Sequence, residues 1–339
     1  MHDQTGGIPA SEGAVETPTK KYLKVSYSSM NVFDSCARKF EFQKLYPQKE
    51  SKFEMYAADV GTAIHHGYQH FLIHGDRDAA TWQFMLDFPY EMEFMQEKDD
   101  RSAEAALATL EEMFDSTDMA EWQLATIRRP NTIEELEAGL SGGVEVPAIE
   151  VPFELRFKGI TLPDGRGIAF TGFLDALMFN RFTGAYKTLD IKTHRRYARD
   201  ATAKYKFDSQ QVPYGIIVEH LQGHRVESFE VLYLDCFVDV AEPRVQLYEF
   251  TKDSGDIQEW LTYKVLQFQQ IQKYMELEFF PRVDSGCMSW NKPCYFLDVC
   301  ESRNRDAIIA WMLEGEEPHE RSYEAPWITA EIDLFGGES

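Results

Sequence analysis

Asp190-Ile191-Lys192 sets a carboxylate and an ammonium two positions apart at the end of an apolar run. Side chains at i and i+2 of a strand lie on the same face, so we expect Asp190 and Lys192 to converge while Ile191 turns into the core. Asp175, on the preceding strand of a predicted hairpin, would add a second carboxylate. Oxygen ligands of this kind suit a hard divalent cation. The spacing therefore predicts a metal site of the type that hydrolyses phosphodiesters.

Two other pairs have the i, i+4 spacing that brings side chains together on one helix face. Gly61 and His65 would combine a close helix approach with an imidazole available to a metal, although a tightly packed helix with surface histidines also fits. Gln210 and Tyr214 would offer an amide and a phenol to a phosphate or a base. The start of an amphipathic helix with a half-buried tyrosine fits that second pair equally well.

The net charge of −23 argues against a protein that coats nucleic acid over its whole surface, since Lys and Arg drive such binding. Any contact with DNA must be local. One stretch, residues 187–206, carries seven basic residues against Asp190 and Asp200, and it directly follows the predicted metal site. Its basic residues are Lys187, Lys192, Arg195, Arg196, Arg199, Lys204 and Lys206.

Hydrophobic periodicity divides the chain into a helical first part and a sheet-forming second part. Helices are predicted from about residue 26 to 46, over 57–74, 77–96, 101–126 and 131–140, and later over 208–221 and 254–278. Strands are predicted over 149–157, 168–179 and 185–191, as an antiparallel meander, and then over 226–238 and 245–250. The domain organisation expected is a flexible tail (1–22), a helical region (23–145), a core with a cysteine-bearing segment (146–312) and an acidic C-terminal tail (313–339).

These motifs, in this order, resemble the RecB-like branch of the PD-(D/E)xK nuclease superfamily over most of residues 26–300. Gly61 and His65 match its G-x-x-x-H helix, Gly172-Phe-Leu-Asp175 its G-x-x-D strand, Asp190-Ile-Lys192 its D-x-K motif, and Gln210 with Tyr214 its Q-x-x-x-Y motif. Glu150 is similar to an acidic residue that often precedes the G-x-x-D strand, although Glu154 is equally close. The fold class implied is α/β: a restriction-endonuclease-like core, with a mixed central sheet flanked by helices, behind a helical N-terminal region.

The resemblance also implies roles for these residues. Asp175, Asp190, His65 and the backbone carbonyl of Ile191 would ligate Mg²⁺ or Mn²⁺. Lys192 would orient the attacking hydroxide or stabilise developing charge. Gln210 and Tyr214 would hold the DNA strand near the scissile phosphate, and Arg195, Arg196, Arg199, Lys204 and Lys206 would bind DNA.

Cysteines form a second group with possible chemistry. Cys236 lies in an apolar strand, whereas Cys36 comes early and Cys287, Cys294 and Cys300 come late. Iron-sulfur nucleases of the resembled family have one early and three late cysteines, so the resemblance implies a [4Fe-4S] cluster that staples the two ends of the core together. The late spacing departs from the family pattern in its first gap. Zinc and unliganded thiols remain alternatives.

The expected function is metal-dependent cleavage of DNA, with exonuclease action on single-stranded ends in repair, recombination or phage replication. A module that binds DNA ends without cleaving them is the alternative. The sequence contains no P-loop motif, so any helicase or recombination partner would be a separate chain. A cytoplasmic location, in a bacterium or a phage-infected cell, is expected because no apolar run reaches the length of a membrane span.

Overall fold

The structure is a computed structural model that describes residues 21–46, 56–93, 101–117, 121–130, 143–194, 202–238, 244–289, 292–302 and 326–333. Within these ranges, every helix is too short or too polar to cross a membrane. The predicted helix at 131–140 lies outside the described residues.

The described strands are β1 (Tyr22–Val25), β2 (Trp122–Leu124), β3 (Thr126–Arg129), β4 (Val144–Pro147), β5 (Ile149–Thr161), β6 (Gly167–Asn180), β7 (Tyr186–His194), β8 (Ser228–Phe237), β9 (Arg244–Asp253), β10 (Met288–Ser289), β11 (Lys292–Pro293) and β12 (Ile328–Asp333). The described helices are α1 (Tyr27–Ser35), α2 (Ala37–Lys44), α3 (Tyr56–His74), α4 (Arg77–Asp87), α5 (Tyr90–Glu93), α6 (Ala103–Ser116), α7 (Thr202–Lys206), α8 (Val212–Gln222), α9 (Ser254–Glu276) and α10 (Leu297–Ser302). A short 3-10 turn spans Asp284–Gly286.

A mixed sheet forms the centre of the fold. In the described residues its strand order is β12-β5-β6-β7-β8-β9, and β1 and β2 pair with opposite ends of β6. The predicted antiparallel meander is confirmed in β5, β6 and β7. β8 then lies parallel to β7, and the crossover between them carries α7 and α8. This crossover brings the start of α8 over the strand that carries Asp190 and Lys192.

Helices cover both faces of the sheet, which confirms the predicted mixed sheet flanked by helices. On one face Phe33 of α1, Ile217 of α8 and Phe268 of α9 belong to the same buried cluster. On the other face Ile64 of α3 packs in a cluster with Ile191 of β7. The apolar residues that alternate with Asp190 along β7 are therefore buried, and register in such a strand is strongly specified because a one-residue slip would expose them.

Several predicted boundaries were wrong. The helix predicted over 101–126 ends at Ser116, and β2 and β3 follow it, because Trp122–Leu124 pairs with the end of β6. The first predicted helix is interrupted at Cys36, whose extended backbone separates α1 from α2. The helix predicted over 77–96 ends at Asp87. Strand pairing overrode the helical pattern in the first case, and in the other two an extended backbone at Cys36 and at Phe88 ends the helix.

The C-terminal segment also differs from the acidic tail predicted over 313–339. Residues 328–333 form β12, which pairs in parallel with β5 at the edge of the main sheet. The alternation of Ile328, Ala330 and Ile332 gives this strand one apolar face against the core cluster. Its acidic residues point away, and Glu331 forms an ion pair with Lys158 of β5.

Candidate active site

The end of β7 carries the best-connected polar group of the described residues. The Lys192 ammonium lies 2.7 Å from Asp190 Oδ2 and donates a 2.9 Å hydrogen bond to Gln210 Oε1. Gln210 in turn donates through Nε2 to Asp190 Oδ1, at 3.1 Å. The Asp190 side chain is fully buried, whereas that of Lys192 is 25% exposed. The predicted convergence of carboxylate and ammonium is therefore present, with Gln210 bridging the two.

Asp175 reaches the same place from β6. Its Oδ2 accepts a 3.0 Å hydrogen bond from the backbone N–H of Ile191, so the two motif strands are joined at their acidic residues. Gly172 is needed three residues earlier because a Cβ there would lie 2.7 Å from the ring of Phe153. That ring packs edge-on against Tyr214, with centroids 5.8 Å apart. We call Asp175, Asp190, Lys192 and Gln210 the β6–β7 site.

Helix α3 approaches the β6–β7 site at Gly61. A Cβ on Gly61 would lie 2.7 Å from Thr193 Oγ1, so a larger residue here would force the Thr193 side chain or α3 to move. One turn later, His65 is hydrogen-bonded to the backbone of Ile191. Burial, together with the charge of Lys192, lowers the pKa of His65 to about 4, so the imidazole is neutral. A neutral imidazole is the form that ligates metals.

Glu150 lies beside Asp175 on the neighbouring strand. The flanking pairs Ile149 with Ala176 and Val151 with Leu174 place it opposite Asp175 in the register. Its backbone has φ +46°, a left-handed conformation that costs a non-glycine residue about 1–2 kcal/mol. Its Oε1 accepts a 2.6 Å hydrogen bond from Gln69 Nε2 of α3. Strain of this kind concentrates at functional sites.

Glu154, the alternative to Glu150, has a different environment. It is buried and forms ion pairs with Lys24 at 3.0 Å and with Arg156 at 2.6 Å. Its register partner is Thr171 rather than a residue of the β6–β7 site. Between the two glutamates, the geometry favours Glu150.

The two aspartates carry unusual electrostatics. Burial raises the pKa of Asp190 well above its ordinary range, and the nearby Asp175 raises it further while Lys192 lowers it. Burial likewise raises the pKa of Asp175, with the charge of Glu150 adding to the effect. Acids gathered in a desolvated cleft resist ionisation because their charges repel. A cation bound between them would relieve this repulsion.

The residues present fit a hard divalent cation by their chemistry. Asp175, Asp190 and the Ile191 carbonyl offer oxygen, and His65 offers a neutral nitrogen. Asp190 Oδ2 is buried and, among the described residues, has its ionic contact with Lys192 but no hydrogen bond of regular geometry. No group of three or more His, Cys, Asp or Glu side chains in the described ranges forms a ready-made metal cage. The ligands would therefore have to draw together around an ion.

Tyr214 lies in the first turn of α8, whereas Gln210 lies two residues before the helix, so the helix predicted from residue 208 begins later than expected and the two side chains have separate contacts. Both polar ends of the Gln210 amide are engaged within the β6–β7 site. Tyr214 is buried, and its hydroxyl donates a 2.9 Å hydrogen bond to the backbone carbonyl of Phe173. This hydrogen bond fixes the backbone of β6 two residues before Asp175.

The predicted DNA-binding residues are only partly described. Lys204 and Lys206 are exposed on α7, which directly precedes Gln210 in the chain. Arg195, Arg196 and Arg199 lie outside the described residues.

Sequence reasoning missed two residues that support the β6–β7 site. Asp208 accepts a 2.8 Å hydrogen bond from the backbone N–H of Gln210 and a 2.9 Å bond from the hydroxyl of Tyr27. An Asp two residues before Gln210 is a typical turn-forming signal. Gln69, which holds Glu150, is four residues after His65, so the i, i+4 helix spacing could have found it.

Four cysteines, one early in the sequence and three late, lie around one cavity. Cys36, Cys287, Cys294 and Cys300 line one cavity, which we call the four-cysteine cavity. Gly286 lets its two walls meet, because a Cβ there would lie 2.8 Å from Cys36 Cβ. Arg38, Lys39 and Arg282 also line it. Cys236 is buried on β8, apart from this group, as its apolar strand predicted.

Comparison with solved structures gives distant matches. One is a crystal structure named "Putative exonuclease" from Eubacterium rectale, with 15% identity, coverage of 86% of this chain and 98% of the other, and a TM-score of 0.38. Another is the crystal structure of SSO0001, with 16% identity, coverage of 38% and 49%, and a TM-score of 0.21. No curated protein sequence matches this chain.

A family comparison gives a specific signal over most of the sequence. The sequence profile of the PD-(D/E)XK nuclease superfamily matches residues 24–301, which include every residue of the β6–β7 site and all four cysteines of the cavity. The match begins in β1 and ends in α10, and so takes in most of the central sheet. This chain belongs to the PD-(D/E)XK nuclease superfamily.

Proposed function

We propose that this protein is a Mg²⁺- or Mn²⁺-dependent deoxyribonuclease that degrades DNA from single-stranded ends. The observation that carries the proposal is the Asp190–Lys192–Gln210 network, joined to Asp175 through the backbone of Ile191. A buried carboxylate next to a partly exposed ammonium gives a cleft in which one group holds a cation and the other faces a phosphate.

Asp175, Asp190, His65 and the Ile191 carbonyl are the proposed metal ligands. When bound, Mg²⁺ or Mn²⁺ would activate a coordinated water and neutralise charge on the phosphate. The strained Glu150 would act on Asp175 from the next strand through its charge, and its hydrogen bond from Gln69 anchors it to α3.

Lys192 is the proposed catalytic residue of the chain itself. Its ammonium would orient the attacking water or stabilise the charge that develops on the phosphate oxygens. Gln210 would hold that ammonium by accepting its hydrogen bond at 2.9 Å. Tyr214 is buried and bonded to Phe173, so we assign it a positioning role instead of the DNA contact first expected.

Two exposed aromatic side chains support a preference for unpaired DNA. Phe173, two residues before Asp175, is 44% exposed, and Phe207, three residues before Gln210, is 79% exposed. Bases of single strands stack on such rings, at about 1–3 kcal/mol per base. Lys204 and Lys206 beside Phe207 would supply the local positive charge that the acidic chain otherwise lacks.

The test is degradation of end-labelled single- and double-stranded DNA with Mg²⁺ or Mn²⁺, with wild type and Lys192→Ala purified anaerobically. We expect metal-dependent shortening from the ends of single strands by wild type and none by the variant. The matched control is Lys187→Ala, on the same strand but paired with Glu230 and Glu249, which should retain activity. Binding of DNA without cleavage by wild type would instead favour the end-binding adaptor.

We also propose that the four-cysteine cavity holds a [4Fe-4S] cluster, with zinc as the alternative. The four cysteines come from the N-terminal end of α2 and from the segment after α9, and four thiolates are the ligand number of either group. In the described residues these side chains do not form a ready-made metal cage, so they would have to draw together around the bound group. The three basic residues that line the cavity would offset the negative charge of four thiolates. The iron, sulfide and zinc content of protein purified without oxygen distinguishes a cluster, a zinc ion and unliganded thiols.

A further inference from the structure

A second polar group stands beside the β6–β7 site and has no part in the chemistry described above. The imidazole Nε2 of His194 lies 2.8 Å from Asp235 Oδ1 and 3.1 Å from the hydroxyl of Tyr205. Tyr205 donates its own 2.8 Å hydrogen bond to the same oxygen of Asp235. The Asp235 side chain is 1% exposed, whereas that of His194 is 33% exposed.

This group lies on the same sheet face as the catalytic pair. Asp190, Lys192 and His194 alternate along β7, so their side chains point to one side. Asp235 of β8 is the register partner of Lys192, and Tyr233 is the partner of Asp190. Residues directly across neighbouring strands also share a face. Tyr205 of α7 stacks on Tyr233, with ring centroids 4.4 Å apart, and so closes this side of the group.

Within the ranges that the structure describes, the contacts of His194 are made through Nε2, and Nδ1 has no recorded hydrogen bond. Nε2 faces Asp235 and Tyr205, and a buried carboxylate in that position orients an imidazole. With Nε2 held there, Nδ1 is the nitrogen through which the ring can meet an anion. Stacking on Phe237, with ring centroids 5.9 Å apart, fixes the plane of the ring.

We propose that His194 forms a second phosphate subsite, which holds the DNA phosphate next to the one being cleaved. Two residue steps along a strand separate it from Lys192, about 6.5 Å, a distance comparable to that between consecutive phosphates of an extended single strand. Asp235 and Tyr205 are positioning residues for this subsite. The inference rests on the proposed function, because it takes nucleic acid as the ligand.

The experiment measures binding of a fluorescent single-stranded oligonucleotide by anisotropy over a salt series. Ca²⁺ replaces Mg²⁺, and intact label is verified after each titration. The pH is 6.0 in every titration. His194→Ala and His194→Gln should bind roughly tenfold to a hundredfold more weakly. The slope of log K against log salt should become shallower by about 0.7, the value for one lost phosphate contact on a single strand.

Three further variants separate the subsite from a structural role. His194→Arg keeps a positive charge and should recover most of the wild-type slope. Asp235→Asn removes the orienting charge and should weaken binding with His194 still present. His224→Ala, a histidine whose ring contacts only the Gln222 carbonyl among the described contacts, should leave binding unchanged. Thermal melting of each variant checks that it folds. If His194→Ala does not fold, the comparison with wild type is made with His194→Gln.

The outcomes distinguish this inference from the nuclease proposal. A wild type that cleaves DNA while both His194 variants keep its salt slope overturns the phosphate subsite and leaves the nuclease standing. A wild type that binds DNA with the predicted loss in the variants, but does not cleave, supports the subsite and overturns the nuclease. A wild type that neither binds nor cleaves overturns both.

Discussion

The β6–β7 site and the four-cysteine cavity are assembled in opposite ways. The first is built from neighbouring strands, and hydrogen bonds of about 3 Å already join its members without any ion. The second brings Cys36 together with cysteines some 250 positions later in the chain. These cysteines line a cavity, and no hydrogen bond joins one of their thiols to another among the described residues. The β6–β7 site is thus joined by hydrogen bonds between neighbouring strands, whereas the walls of the four-cysteine cavity come from distant parts of the chain.

The polypeptide does hold the two walls of the cavity close. The backbone N–H of Arg38 donates to the carbonyl of Pro281 at 3.1 Å, and its side chain donates to the carbonyl of Phe280 at 2.9 Å. A cluster would therefore reinforce an existing contact. Changes at the first region should act on chemistry, and changes at the second should act on stability.

The largest expected effect is loss of cleavage in Asp190→Asn. Asn removes the negative charge of a proposed metal ligand, and losing one such electrostatic contribution to the site costs about a hundredfold to a thousandfold in rate. Single-turnover cleavage at saturating metal measures it. A variant that keeps more than a tenth of the wild-type rate would exclude Asp190 from the metal site.

The same substitution should not destabilise the fold in EDTA. Burial raises the pKa of Asp190 from 3.8 to about 7, so the folded state binds more protons than the unfolded state between these values. Stability of the wild type therefore falls as pH rises through this window, whereas Asn has no proton to lose. The stability advantage of Asp190→Asn, measured by urea unfolding, should grow from pH 4 to pH 7.

The next largest effect is a loss of stability when a cysteine of the four-cysteine cavity is replaced. Cys300→Ala should lower metal content and reduce the unfolding temperature by more than about 5 °C, because metal binding contributes directly to folding free energy. Differential scanning calorimetry and metal analysis measure both. Cys236→Ala is the matched control: it removes a buried thiol outside the cavity, should cost about 1 kcal/mol, and should leave the metal content unchanged. Equal metal content in the two variants would contradict a metal group bound in the four-cysteine cavity.

A smaller effect separates the two glutamates of β5. Glu150→Gln should weaken Mg²⁺ binding about tenfold to a hundredfold, the usual consequence of losing a group that supports a metal ligand. Glu154→Gln should lower stability, since it breaks ion pairs with Lys24 and Arg156, and should leave the metal dependence of cleavage as in wild type. The reverse pattern would transfer the role to Glu154.

The smallest effect concerns how α3 meets β7. Gly61→Ala puts a methyl group 2.7 Å from Thr193 Oγ1 and should cost about 1–3 kcal/mol in unfolding free energy. Thr193→Ala removes that oxygen, so the double variant should regain most of the loss. A double-mutant cycle by urea unfolding measures the coupling. Additive losses would show that close packing at this point is not the reason for glycine.

Local pattern was enough for much of the sheet. The meander of β5, β6 and β7 followed from apolar runs separated by turn residues, because strand period and turn chemistry are properties of short segments. The convergence of Asp190 and Lys192 followed from the same period of two. Helix α6 was overextended because the chain after Ser116 is drawn into pairing with β6, which its own sequence does not reveal.

The sequence by itself determined the family, the mixed sheet and the order of the motifs, since these depend on residue types at fixed short spacings. Only the tertiary structure decided which glutamate lies opposite Asp175, that residues 328–333 complete the sheet edge, and that Asp235 and Tyr205 lie against His194. Those relations join residues distant in the chain, and they depend on strand register and helix packing, which no local pattern encodes.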